Sequence, residues 1–306
     1  MSQTGPAAQA RGPVLGGKLA LVTGAYGDIG TQTVIGLARA GATVIAAGRD
    51  AGKLDTLAQA VSRQVPGAKV EPLVLDLADL SSVKRAADAV LASGRPLDVL
   101  INNAAVMPGR ERKTTSDGFE LAFGTNQLGP FALVGQLLPA LLSAPEARVV
   151  TVTAGAPRSP LDTSDLNSEK RYRGGMSTYT ATKYAATVYA QELARRLAGT
   201  SIKSLTVHPG VAATGVQRHN PLIGFLARYV FAPVTSTPAQ AARPAIYAAT
   251  HPGLANGALI GPGGLLGIKG EPRLRKRPAA LTDQASAAQL WETSQRLTGV
   301  HYSIPK

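Results

Sequence analysis

Tyr179 and Lys183 stand four residues apart in the segment Tyr179-Thr180-Ala181-Thr182-Lys183. On a helix, residues four apart share a face, so a phenol and an ammonium can point into one site. A free phenol titrates near pH ~10, too high to exchange protons readily at neutral pH. A fixed cation beside it stabilises the phenolate and lowers that value, which makes the pair a candidate general acid/base. Alone, the spacing is common by chance; its place in the chain gives it meaning. A second cluster, Thr23-Gly24-Ala25-Tyr26-Gly27-Asp28-Ile29-Gly30, lies near the start. Glycines there let the backbone turn tightly and approach a pyrophosphate, which a following helix N-terminus stabilises through its N–H groups and dipole. Such turns can also be glycine-rich for steric reasons only. A third cluster is Gly48-Arg49-Asp50, with Lys53 one turn further on. At a strand tip a carboxylate suits the free ribose hydroxyls of NAD, whereas an arginine suits the 2′-phosphate of NADP. The bland alternative is a solvated pair at a helix start.

The elements that must position these residues alternate along the chain. Lys18–Gly24 is a short apolar run ending in glycine, Asp28–Ala40 can form a helix, and Thr43–Arg49 is again a strand. Further strands are expected at Val70–Leu75, Leu97–Asn102, Arg148–Thr153, Ser201–Val207 and, last, Gly257–Ile260, about seven in all. Helices are expected at Ala51–Val65, Leu80–Ser93, Ser116–Leu142, Thr178–Ala198 and around Thr282–Leu297. Strands of nearly continuous Val, Leu and Ile alternating with helices predict a parallel sheet covered on both faces. Right-handed crossovers favour a Rossmann-like, doubly wound α/β arrangement, in which ligands sit beyond the carboxyl ends of the strands. The glycine turn follows the first strand, Arg49 the second, and Tyr179 the fifth. No fixed-period repeat and no linker divides the chain, so a single domain over 17–306 is expected, with a flexible tail over 1–16.

With these motifs in this order, the chain resembles the short-chain dehydrogenase/reductase family over roughly Gly17 to Val300. The glycine segment looks like the family's TGxxxGxG turn, except that its middle glycine falls on Asp28 and a glycine has moved to Gly27. A carboxylate there would sit near the pyrophosphate, which is unfavourable unless it turns away to cap the helix. The resemblance implies a nicotinamide cofactor held by Gly24, Tyr26, Ile29 and Gly30. Asp76 would contact the adenine, with Leu77 beside it. Asn103 and Ala104, in Asn102-Asn103-Ala104-Ala105, stand in the family's NNAG. Arg49 makes NADP(H) the expected form over NAD(H). By the same resemblance Tyr179 protonates a carbonyl oxygen or deprotonates an alcohol, and Lys183 also holds the nicotinamide ribose. Asn126, in Thr125-Asn126-Gln127-Leu128-Gly129, would anchor a water in the proton relay. Pro209, in His208-Pro209-Gly210, would pack on the nicotinamide, and Thr214 would bond its carboxamide. The family's catalytic serine position falls on Ala154, in Arg148-Val149-Val150-Thr151-Val152-Thr153-Ala154-Gly155. Thr153 is adjacent, but strand neighbours point to opposite faces, so it cannot simply substitute. Elsewhere, losing one hydrogen bond to the reacting oxygen costs about 10²–10³ in rate.

The span from Ala154 to Tyr179 is longer than in the family's plainest members. Its Asp165–Tyr172 segment resembles the insert of the retinol-dehydrogenase-like branch, as do Gln191–Leu197 and Leu290–Ser294. Pro221–Val234 falls where the family places its substrate lid, and its Leu, Ile, Phe and Tyr residues suggest a bulky hydrophobic substrate; dimer contact and core packing are the alternatives. Family members associate through the helices that would carry Asn126 and Tyr179, which allows a homodimer or homotetramer. The expected function is an NADP(H)-dependent oxidoreductase interconverting a carbonyl and an alcohol on a hydrophobic small molecule, without a metal. Its rivals are a cofactor-binding but redox-silent protein, signalled by Ala154 and Asp28, and a non-redox isomerase or cyclase using Tyr179 as a proton shuttle.

Composition removes several other classes. There is no cysteine, hence no disulfide, thiolate metal site or Cys nucleophile. The four histidines have no metal-ligand spacing. The net charge of +13 invites a nucleic-acid reading, and part of it crowds into Lys269, Arg273, Arg275, Lys276 and Arg277. Interleaved aromatics for base stacking are missing there, so a solvated basic loop is expected and nucleic-acid binding is not. No stretch offers the ~18–20 apolar residues of a membrane span, and Met1–Gly17 lacks the apolar core of a signal peptide. A cytoplasmic protein is expected.

Overall fold

The computed structural model describes residues 14–154, 161–210, 236–264 and 267–305. Seven strands run parallel: β1 (Leu19–Thr23), β2 (Thr43–Gly48), β3 (Lys69–Val74), β4 (Val99–Asn102), β5 (Ala147–Val152), β6 (Ile202–Val207) and β7 (Leu259–Pro262). An eighth, β8 (Pro272–Arg275), pairs antiparallel with β7. The order across the sheet is β3-β2-β1-β4-β5-β6-β7-β8, so the winding reverses between β1 and β4 and opens a crevice there. β1, β4 and β5 are buried along their whole length, which is why they read as near-continuous apolar runs.

Helices α1 (Asp28–Arg39), α2 (Ala51–Gln64), α3 (Leu80–Ala92), α4 (Leu121–Phe123), α5 (Gly129–Gln136), α6 (Leu138–Leu142), α7 (Gly175–Arg196), α8 (Pro238–Thr250) and α9 (Gln284–Thr298) cover the two faces. Strand alternation divides the core between them. Val22, Val44, Ile101 and Val150 pack under α1, α2 and α8. Leu21, Leu100 and Val149 pack under α3, α5 and α7 with Phe131 and Trp291. Caps fix where helices begin: Asp50, Asp79 and Asp283 accept backbone N–H groups, and Thr237 with Gln240 forms a capping box.

Three expectations change. The single helix over Ser116–Leu142 is broken: it starts at Leu121, capped by the Glu120 carboxylate, and passes through a π turn at Gly124–Leu128. It breaks again at Leu137, before Pro139, whose ring nitrogen has no hydrogen to give. The strand expected last is Leu259–Pro262, and the basic stretch beyond it is not all loop, because Pro272–Arg275 adds the eighth strand. Helix α8 opens on the Thr237–Gln240 capping box and carries Pro244 inside it. Leu15 is buried and donates its N–H to the Ala40 carbonyl at 2.8 Å, so the chain is already packed there. Gly155, Thr214 and Pro221–Val234 lie outside the described residues. Among the described residues, no helix is long and apolar enough to cross a membrane, and no group of three or more His, Asp or Glu could hold a metal ion.

Candidate active site

A cavity of about 470 Å³ lies at the carboxyl ends of the central strands, and it gathers most of the residues singled out from sequence. Gly24, Tyr26, Ile29, Gly30, Arg49, Asp76, Leu77, Asn103, Ala104, Tyr179, Lys183 and Pro209 all border it. The glycine turn forms its floor. Gly24 has φ +63°, and a side chain on it would strike the Ala104 backbone at 2.9 Å. A side chain on Gly30 would run into the Gly24 carbonyl oxygen and fill the turn. Thr23 locks the ends of β1 and β4 together. Its hydroxyl accepts from Asn103 N–H at 3.0 Å and Ala104 N–H at 3.1 Å, while the Asn103 amide donates to the Thr23 carbonyl at 2.9 Å. The cap of α1 is Gly27, in extended conformation, and Asp28 is the first helical residue rather than a cap. Its carboxylate sits in the first turn, where the helix dipole favours negative charge, and borders the cavity. A glycine turn closed this tightly against a helix N-terminus fits a pyrophosphate.

At the far end, Arg49 follows β2, is exposed, and faces the cavity. Lys53 is already engaged: its ammonium lies 3.3 Å from the Asp50 carboxylate and 5.6 Å from the Tyr26 ring centroid. Arg49 is therefore the cation positioned for an anionic group there. Asp76 is fixed by its own turn, its carboxylate accepting Ala78 N–H at 2.9 Å and its N–H donating to Ser82 Oγ at 3.0 Å.

At the near end stand Tyr179 and Lys183, on the first turns of α7. Lys183 is only 4% exposed, and its Nζ donates to the Val152 carbonyl at 2.8 Å. Burial lowers its pKa to about 8. Burial also pushes the Tyr179 phenol above its usual value, against the expected lowering. The ammonium is turned to Val152, and removal from water alone sets the direction for each group. Asn126 comes from the π turn, a distortion that recurs at functional sites. Its side chain grips Val106, accepting the N–H at 2.8 Å and donating to the carbonyl at 2.9 Å, and also donates to Thr182 Oγ1 at 3.1 Å. Thr182 in turn donates to the Tyr179 carbonyl at 2.9 Å. With that amide engaged, a water on Asn126 would fall to its backbone carbonyl.

Sequence reasoning missed Val152, Thr182, Val106 and Thr23. The signals for two of them were a threonine closing an apolar strand and a threonine three residues after Tyr179. Thr153 keeps the β5–β6 ladder one residue past β5, its N–H donating to the Val207 carbonyl at 2.8 Å. Thr153 borders the cavity, its hydroxyl 3.4 Å from the Val207 carbonyl, whereas Ala154 is exposed and does not. Beside Pro209, burial and nearby Arg275 hold the His208 imidazole below its ordinary pKa.

A profile of the short chain dehydrogenase family matches residues 18–221. Human retinol dehydrogenase 13 is 34% identical over 291 residues, covering 93% of this chain and 85% of that protein. Human retinol dehydrogenase 12 is 38% identical over 241 residues, covering 78% and 75%. A crystal structure of a protein from Mycobacterium Paratuberculosis superposes with TM-score 0.77 at 34% identity, covering 95% of this chain and 97% of that one. The RhlG/NADP active-site complex of Pseudomonas aeruginosa gives TM-score 0.65 at 26% identity, covering 81% and 96%. The nucleotide-shaped turn, the paired Tyr179 and Lys183 and these likenesses agree: the chain belongs to the short-chain dehydrogenase/reductase family of oxidoreductases, on its retinol-dehydrogenase-like branch.

Proposed function

We propose that the chain is an NADP(H)-dependent oxidoreductase that interconverts a carbonyl and an alcohol on a bulky hydrophobic small molecule. The observation that carries this reading is one cavity with Arg49 at one end and Tyr179 with Lys183 at the other. The NADP in the RhlG complex supports the choice of nucleotide. Gly24, Gly30, Asn103 and Ala104 would hold the pyrophosphate and its ribose, Asp76 and Leu77 the adenine, and Arg49 the 2′-phosphate. When bound, NADPH supplies a hydride. The chain's own residues handle the proton. Burial keeps the Tyr179 phenol protonated at neutral pH, so it donates to the carbonyl oxygen of a substrate being reduced. Lys183, with a pKa of about 8, is the nearby group able to return that proton, through water on the Asn126 carbonyl. Thr153, which borders the same cavity, would orient the reacting oxygen in place of a serine.

The test is NADPH and NADH binding by nucleotide fluorescence, followed by turnover of apolar carbonyls. Arg49→Ala is expected to weaken NADPH about tenfold or more while leaving NADH nearly unchanged, since one charge-assisted phosphate contact is lost. Tyr179→Phe should abolish turnover with cofactor affinity intact; undiminished turnover would sink the assignment. A second reading rests on Ala154 and Asp28, namely a protein that binds the nucleotide and stays redox-silent. It predicts tight NADPH binding with no carbonyl reduced. Product formed without net NADPH consumption would point instead to an isomerase or cyclase.

A further inference from the structure

We infer that Tyr302 is a positioning residue for the proton-transfer site, a role that rests on the function proposed above. Its hydroxyl pins the helix continuing from Asn126 to the helix bearing Tyr179 and Lys183. Tyr302 lies in the tail beyond α9 and donates to the Phe131 carbonyl at 2.7 Å. Its oxygen is also 2.8 Å from the Tyr189 hydroxyl. A phenol has one proton, and Tyr302 gives it to Phe131, so Tyr189 must be the donor in the second bond. The Gly135 N–H interacts with the same oxygen. The Tyr302 hydroxyl thus ties down a carbonyl of α5, just before that helix breaks at Leu137.

The sequence prepares this tie. A side chain on Gly135 would lie 2.6 Å from the Tyr302 ring, so glycine leaves the space the ring occupies. The ring then seats 4.9 Å from Phe131 and 4.7 Å from Trp291, centroid to centroid. At the cavity end the same two helices are joined by Asn126 and Thr182. One pin alone would leave them free to rotate about it. The second, placed further along both helices, fixes their mutual rotation, and with it the approach of the Asn126 carbonyl to Tyr179.

The experiment compares the full chain with Tyr302→Phe and Tyr189→Phe, each of which deletes one hydroxyl and keeps its ring. Leu57→Ala, in the opposite core, controls for loss of stability alone. Hydrogen exchange read by mass spectrometry needs no substrate. Peptides over 103–110 and 175–184 should exchange about fivefold or more faster in both tyrosine variants and unchanged, relative to global stability, in the control. With NADPH and cinnamaldehyde as probe, kcat should fall about tenfold and the KM for NADPH stay within about twofold, with the double variant no worse than either single one. If Tyr302→Phe does not fold, Tyr189→Phe carries the test, since it cuts the same tie from the other helix. A lowered Tm with exchange and kcat otherwise unchanged would overturn the inference and leave the tail a mere cap. The two proposals fail separately: Tyr179→Phe that still turns over removes the catalytic reading, while the exchange result stands or falls without any turnover.

Discussion

Lys183 occupies a costly position for a charge, buried and with a pKa of about 8. Below pH 8 both folded and unfolded chains carry the proton, and the fold bears the full desolvation penalty. Between about 8 and the ordinary lysine value the folded chain sheds the proton first, so stability rises with pH across that window. Lys183→Met is therefore expected to abolish turnover and yet raise stability at pH 7, by up to ~3 kcal/mol at 1.4 kcal/mol per pKa unit. Calorimetry from pH 6 to 10 should find the gain shrinking as pH climbs through 8. At Thr153, which also borders the cavity, substitution by valine (Thr153→Val) keeps the shape and removes the oxygen, and kcat should drop about 10²-fold with NADPH affinity unchanged. The meeting of Tyr179, Lys183 and the glycines at one cavity was legible because it depends on spacing within single elements and on their order. The direction of the phenol's shift was not, because it depends on what the fold packs around it.

The π turn shows how an element converts composition into position. Gly124–Leu128 has the residues of a helix, so periodicity reads straight through it; the geometry instead adds a residue to the turn and aims Asn126 at Val106. Asn126→Ala would leave the Val106 backbone pair unmet in a largely buried place. A loss of about 2–4 kcal/mol is expected, read from urea denaturation, together with loosened exchange around Val106. The inner parallel strands were read from sequence with shifts of only a few residues, because burial on both faces forces continuous apolar runs. β8 was hidden for the opposite reason: with one apolar residue, Leu274, beside a proline and two arginines, it looks like a solvated loop.

At the scale of the molecule, α9 and the tail lie against α5 and α7 through Trp291 and Tyr302. This clasp could not be read from sequence, since it depends on Gly135 admitting a ring from the far end of the chain. Ending the chain at Asp283 would bare Phe131 and Tyr189, and the shortened protein is expected to self-associate, seen as a rise in mass by light scattering. The sheet's two margins have a bearing on the same matter. β3, at one margin, carries Lys69, Glu71 and a proline at position 72; β8, at the other, opens with Pro272 and sets Arg273 and Arg275 along its length. A visiting strand would find missing donors and would have to bury charge at either side. The molecule thus ends its own hydrogen-bond lattice on both flanks, and crowding it at high concentration should not zip one copy onto the next.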